Sequence, residues 1–433
     1  MSFNASFKGT SQGKLISWFK NLWADLTFNS NVRRKKFPTK RSTRVFMQKQ
    51  NNTFIVLAKF IALDSSILGY LAKDYFSSDA VKRKDAANFL KCLADNAIIP
   101  FLCVHHFYEL IKIRDDKVAK DRFNFLRLIP QVAWVSTIND NQLGSIVDVL
   151  VAECRTVLQE NKLSVLEVRD KTRNSLIRFG TGTEAMSSYE EVWENLRPYL
   201  WTQEERTRET VAIRRAKVND ISEKPISHFM NGSIREQEEA ITFFNQLKAK
   251  MTEEIQNHGD KRIPNSNEVA SRFYDEIVDS EEVFHLKNGG LQQILNYHEI
   301  DLEELGEHAL MEDLLKLIDF QAKLKVAHKR FNMSWESFKK SIQPEQIPSW
   351  LIESSLFLHS QEQPEYKGSE LNDYWLACLS PYVDLIYVDK RVKNDFERAF
   401  RKTPVLCELL NRVKIEKVRP YVSLQEQVER MDL

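Results

Sequence analysis

The sequence predicts an α/β fold of three-layer α/β/α type. Helices cover both faces of a central parallel sheet, and the sheet-forming chain is interrupted by a large all-α insertion. Three observations carry this expectation. Apolar runs at residues 54–63 and 383–388 stop abruptly on Asp64 and Asp389, and short apolar runs bounded in this way read as buried strands. Strand and helix signals alternate from 54 to 136, the rhythm of parallel strands joined by right-handed crossovers. Between about 140 and 362 the strand signals give way to helical periodicity.

Length and charge set outer bounds. The 433 residues allow two or three domains, or one domain with a long insertion, and a hydrophobic fraction of 42% suffices for cores. The net charge of +1 hides an asymmetry: the first 50 residues hold 11 Lys or Arg against the single acid Asp25. A basic arm on an acidic body suggests contact with nucleic acid or another anionic surface. Cys92, Cys103, Cys154, Cys378 and Cys407 are scattered and form no CxxC pair, so neither a disulfide framework nor a zinc site is expected. No apolar run reaches the length of a spanning helix and the N-terminus lacks a signal-peptide core. A reducing cytoplasm and the absence of an integral membrane segment are therefore expected.

Taken in order, residues 1–50 form a basic extension. Leu15, Ile16, Phe19, Leu22, Trp23 and Leu26 share one helical face within it, suited to packing on the body of the protein, and a basic run follows at 33–44. The strand at 54–63 leads into a helix over 67–76, and an apolar stripe at 80–95 predicts another. Residues 98–104 read as a second strand despite Pro100, followed directly by the helix-opening segment His105-His106-Phe-Tyr-Glu109. A helix within 121–130 and a short strand at 132–135 close the first part, residues 51–139. The helical segment 140–362 contains stretches at 141–160, 188–222, 234–257, 267–286 and 307–331, with breaks at Gly289-Gly290, Pro344, Pro348 and Pro364. The second part, 363–433, opens with a helix carrying Glu370 and Asp373, runs into the strand ending at Asp389, and continues as a helix over 390–412 and a short strand within 413–422.

Four acids hold privileged places in this scheme. Asp64 and Asp389 leave strand ends, and Glu109 and Asp373 sit in the first turns of helices. In a parallel sheet these positions can converge on one edge, where ligands bind beyond the carboxyl ends of strands. Clustered carboxylates repel each other and stay ionised only when cations neutralise them. Hard divalent ions with oxygen ligands, Mg²⁺ or Mn²⁺, suit such a set, and phosphoryl transfer is the chemistry that most often uses it.

The segments Phe60-Ile-Ala-Leu-Asp64-Ser-Ser-Ile-Leu68, Pro100-Phe-Leu-Cys-Val-His-His-Phe-Tyr-Glu109-Leu-Ile111, Asp373-Tyr-Trp-Leu-Ala-Cys-Leu379 and Leu385-Ile-Tyr-Val-Asp389 together resemble a PIN domain. The resemblance covers 54–136 and 366–422, so that 51–139 and 363–433 would be the two parts of one PIN-like domain. It implies an α/β/α fold, a metal site of Asp64, Glu109, Asp373 and Asp389 holding Mg²⁺ or Mn²⁺, and hydrolysis of phosphodiester bonds by an endonuclease, with RNA, single-stranded or structured, as the expected substrate. The departure is the long gap between Glu109 and Asp373, where compact members of the family have no such segment; it leaves substrate choice open.

Blander readings stand beside these. Asp64 and Asp389 also suit helix N-caps, Asp373 favours its helix dipole, and Glu370 competes with Asp373 for the inward position. Asp384 reads as a strand cap or solvent-facing group, Asp395 as a peripheral ligand, and Ser65 as a partner for site water. His106 and Glu109 have ligand-capable i, i+3 spacing, but with no third ligand motif they do not make a zinc site. Gly180-Thr-Gly-Thr-Glu184 lacks the lysine of a phosphate loop and reads as a turn. Arg206, Arg208, Arg214, Arg215 and Lys217, with Trp193, Tyr199 and Trp201, suggest a nucleic-acid groove or ordinary core. The rival to a nuclease is a non-catalytic PIN-like scaffold whose helical insertion binds a protein partner; a DNA nuclease with the same site is the other alternative.

Overall fold

The computed structural model describes residues 58–137, 142–160, 162–217, 237–278 and 309–429, with short pieces at 225–227, 295, 300 and 305–306. The basic extension, residues 54–57 of the first expected strand, Gly289 and Gly290 lie outside the described residues.

Strand β1 (Lys59–Ala62) is followed by helices α1 (Ser65–Tyr75) and α2 (Ala80–Asp95), strand β2 (Ile98–Leu102), helices α3 (Val104–Ile111) and α4 (Asp116–Leu128), and strand β3 (Val132–Val135). Helices α5 (Ile146–Gln159) and α6 (Val165–Leu176) lead into strand β4 (Ile177–Gly180), the short helix α7 (Gly182–Met186) and the long helix α8 (Trp193–Arg215). Then come α9 (Gln237–His258), α10 (Ser266–Val278), α11 (Met311–His328), α12 (Trp335–Ser341), α13 (Pro348–His359) and α14 (Ser369–Ala377). Strand β5 (Leu385–Val388), helices α15 (Lys390–Lys402) and α16 (Pro404–Leu409), strand β6 (Lys414–Lys417) and helix α17 (Tyr421–Glu429) complete the chain.

The six strands form one mixed sheet in the order β4-β3-β2-β1-β5-β6. All neighbours are parallel except β3 and β4, which are antiparallel. Successive side chains of a strand alternate between faces, and here they feed separate cores. Ile61, Leu102, Trp134, Leu385 and Tyr387 pack with α1, α2, α4 and α8. Ala62, Phe101, Ala133, Val135, Ile386 and Val388 pack with α5, α6, α13, α14 and α15. The chain is thus an α/β protein with helices on both faces of its sheet.

Two expectations are corrected. The sheet is mixed rather than purely parallel, and residues 140–362 are not all helical, because β4 lies among them. Four residues of sequence Ile-Arg-Phe-Gly, none fully buried, give no apolar run to detect. The supposed turn at 180–184 ends this strand, and Thr181 then N-caps α7. Helices α5 to α8 line the faces of the sheet, so the start of the helical segment is part of the central body. Smaller apolar clusters further along, around Met251 and Ala270 and around Leu295 and Leu314, stand apart from it. Among the described residues no helix is long and apolar enough to cross a membrane.

Chain segments remote in sequence meet at the start of β5. The Phe60 N–H donates to Asp384 Oδ2 at 2.7 Å, across 324 positions, and Arg173 of α6 reaches the same oxygen at 3.3 Å. Asp384 therefore caps the strand pair rather than facing water alone. Asp384→Ala removes an acceptor from a half-buried N–H and is expected to cost about 1–2 kcal/mol, read as a lower urea midpoint with an unchanged m-value; an unchanged midpoint would show that this contact does not hold β1 to β5.

Candidate active site

The strand order reverses at β1: the chain runs outward through β2 and β3 on one side and through β5 and β6 on the other. Such a switch point leaves a crevice beyond the carboxyl ends of its two central strands. Asp64 directly follows β1 and Asp389 directly follows β5. Both are half-buried in the wall of one cleft, with Asp373 of α14, His106 of α3 and the apolar side chains of Leu376 and Val392. The cleft offers about 10 Å³ to the centre of a water-sized sphere, room for about one water or ion.

Each strand-end aspartate does two jobs. One oxygen of Asp64 accepts from the Ser66 N–H at 2.7 Å and from its hydroxyl at 2.5 Å, capping α1. One oxygen of Asp389 accepts from the Val392 N–H at 2.6 Å, capping α15. The positive ends of two helices thereby aim at the cleft and stabilise negative charge there. The N-cap reading of these residues holds, and it places rather than excludes their carboxylates.

Glu109 is not part of the cleft wall. It stands beside it on α3, where it accepts from Asn372 Nδ2 at 3.2 Å and lies 3.7 Å from Lys112 Nζ. It nevertheless acts electrostatically on both Asp64 and Asp373. Burial raises the Asp64 carboxyl above its ordinary value; the Ser66 hydrogen bonds oppose that rise, while the charges of Glu109 and Asp389 add to it. Asp373 is raised well above the ordinary range by burial, with Arg391 opposing and Asp389, Glu109 and Asp64 adding. The expected set, Asp64, Glu109, Asp373 and Asp389, is thus gathered closely enough for its members to sense each other's charge.

The counter-charge comes from Arg391. It donates to Asp373 Oδ2 at 2.6 Å and lies 3.7 Å from Asp389 and 2.9 Å from Glu370 Oε2. Glu370 does not compete for the cleft: it is turned inward, 3% exposed, and is also held by Arg215 from α8. No sequence signal pairs Arg215 with Glu370 across 155 positions. Asp395 is corrected as a candidate ligand, since it is fully buried and accepts from Tyr374 and Arg398.

The histidines serve structure. His106 Nδ1 accepts from the Cys103 N–H at 3.1 Å, and the ring also bonds the backbone of Leu63, just before Asp64. Burial pushes His106 down to about 4 and His105 to about 3, so both are neutral at pH 7. His106 therefore ties the end of β1 to the start of α3. Several basic and aromatic residues of α8 and the chain just after it are likewise partnered. Arg214 pairs with Asp319, Lys217 with Glu362 and Arg208 with Glu204; Trp193 stacks on Phe123 and the Trp201 indole donates to the Lys112 carbonyl. Arg208, Arg214, Trp193 and Trp201 are thus engaged by neighbouring groups of the protein.

The donor chemistry suits a hard divalent ion, since every carboxylate supplies oxygen. Five acids (Asp64, Glu109, Glu370, Asp373 and Asp389) meet three cationic groups, Arg391, Arg215 and Lys112, within ion-pair distance, which leaves the cluster short of positive charge. Ser65, next to Asp64, is buried with a hydroxyl that has no hydrogen-bond partner among the described residues, as beside a site whose solvent or ion completes the bonding. The match is incomplete: among the described residues no three His, Cys, Asp or Glu are arranged to hold an ion, and Asp373 is bonded to Arg391. Comparison with family models, curated proteins and solved structures finds no match to this chain.

Because the folded state holds Asp64 above its ordinary value, it favours the protonated form. That contribution is full below about pH 4, the unfolded value, and is lost as pH rises through the raised folded value. Asp64→Asn keeps the cap and removes the penalised charge. Thermal melts are expected to show Tm about 1–2 °C above wild type at pH 7.5, shrinking toward zero as pH falls to 4. A lower Tm at every pH would mean that Asp64 is not held against its neighbours' charge.

Proposed function

We propose that the chain is a divalent-cation-dependent endonuclease of PIN type that hydrolyses phosphodiester bonds in RNA. The observation that carries this reading is the gathering of Asp64, Glu109, Asp373 and Asp389, drawn from four separate segments, at the switch point between β1 and β5. A scaffold has no use for a half-buried cluster of repelling acids, whereas phosphoryl transfer has.

Asp64, Asp373 and Asp389 would hold Mg²⁺ or Mn²⁺, with Glu109 as the outer carboxylate. When bound, the ion supplies Lewis-acid activation of water and stabilisation of charge at phosphorus. The residues of the chain orient that chemistry. The caps on α1 and α15 fix Asp64 and Asp389, and His106 holds the strand end that precedes Asp64. Arg391 at the cleft and exposed Lys390 beside it supply positive charge for substrate phosphates. The resemblance implies products with 5′-phosphate and 3′-hydroxyl ends. Substrate choice falls to the chain between β4 and α14 and to the basic N-terminal residues; the same helical region would receive a protein partner, and a reducing cytoplasm is the setting that fits the scattered thiols.

The scaffold reading draws on one observation, the bond from Arg391 to Asp373, which would keep that carboxylate from an ion. An assay separates the readings. Pure protein is incubated with single-stranded RNA or DNA, with Mn²⁺ or chelator, beside Asp64→Asn, Asp373→Asn and Asp389→Asn. Cleavage of RNA that needs Mn²⁺ and falls by a factor on the order of 100 or more in each variant is expected. Binding without cleavage would establish the scaffold, and faster cutting of DNA would replace RNA as substrate.

A further inference from the structure

Arg391 has a second carboxylate ready to receive it. Its NH1 lies 2.9 Å from Glu370 Oε2, yet that oxygen makes no hydrogen bond in a residue only 3% exposed. The guanidinium instead donates from NH2 to Asp373 Oδ2 at 2.6 Å. The two groups thus form an ion pair without an aligned hydrogen bond, and a small rotation of Arg391 that brings NH1 into line would add one. Its other oxygen is already fixed: Glu370 Oε1 accepts from Nε of Arg215 at 2.7 Å, and Arg215 also donates to Ser360 Oγ at 2.6 Å. Glu370 is therefore an anchored acceptor, and Arg391 is shared between it and Asp373.

We propose that Arg391 is a two-position guanidinium: it neutralises Asp373 when no divalent ion is bound, and passes to Glu370 when an ion takes Asp373. In the second position it stays at the rim of the cleft with NH2 free for a phosphate oxygen, so the guanidinium that shields the acids becomes a substrate contact. Glu370 is the positioning residue of this exchange. The charge count is consistent with it: the ion replaces Arg391 among Asp64, Asp373 and Asp389, and Arg391 moves to an acid that lies outside the ligand set. Because Arg215 belongs to α8, the anchor also ties the exchange to the helical segment between the two parts of the sheet. The inference rests on the divalent-ion reading of the site.

Isothermal titration of the full chain with MnCl₂ tests it without reference to cleavage. Wild type, Arg391→Gln, Glu370→Gln and the double variant are compared, with circular dichroism to confirm folding. Arg391→Gln is expected to bind Mn²⁺ about tenfold more tightly, since no guanidinium competes for Asp373. Glu370→Gln is expected to weaken binding several-fold, because Arg391 then has nowhere to go. In the Arg391→Gln background the Glu370→Gln change is expected to have no effect. Equal weakening in both backgrounds, the signature of simple through-space charge, would overturn the exchange, as would unchanged or weaker binding by Arg391→Gln. If Glu370→Gln does not fold, Arg391→Lys takes its place: a lysine keeps the charge but not the fork, and equal affinity for wild type and Arg391→Lys would also overturn the proposal. Absence of Mn²⁺ binding in every variant would instead remove the divalent-ion reading, and the exchange with it.

Discussion

Like charges at the joint of two parallel strands are the constraint around which the molecule is arranged. Asp64 and Asp389 are placed by backbone geometry, since each ends a strand and caps the next helix. Asp373 and Glu109 come from helices that lie against the same edge. Helix dipoles supply partial positive charge worth a fraction of what whole carboxylates require, and burial makes the ionised forms harder to sustain. Arg391 supplies the full positive charge, and Glu370 and Arg215 supply its support. Removing any one of these charges leaves another exposed to an environment with too little water to compensate.

The same constraint links chain topology to chemistry. A sheet whose strands lie within 59–180 and 385–417 can bring its two groups of acids together only if the intervening chain returns to the point at which it left. Helices α5 and α6 and strand β4 return along the sheet, and α13 and α14 bring the chain back beside β5. The Phe60–Asp384 bond and the buried Arg215–Glu370 pair close the circuit. Among the described residues, helices α8, α13 and α14 of the intervening chain are thus structural parts of the site.

Much of the fold was legible because burial writes itself into short apolar runs. The β2, β3 and β5 runs and the helix at 80–95 lie where periodicity places them, while the helix expected over 390–412 is divided into α15 and α16. Strand β4 was not legible, because an edge strand with a half-exposed Ile-Arg-Phe-Gly sequence carries no such run. The placement of α5 to α8 against the sheet was hidden for a related reason: an amphipathic stripe shows that a helix is buried, not against what. In the site, Asp64 and Asp389 were legible as residues that end strands. The inward turn of Glu370 was not, since it depends on Arg215 far away in sequence, nor was the bond from Arg391 to Asp373, which depends on the path of two helices.

The central claim is that the cleft between β1 and β5 is a cation site from which Arg391 withdraws. Anomalous scattering from a crystal grown with Mn²⁺ tests it most directly. The account expects a manganese peak within about 2.5 Å of oxygens from Asp64, Asp373 and Asp389, with Arg391 bonded to Glu370. A cleft without a peak at millimolar Mn²⁺, with Arg391 still on Asp373, would contradict it.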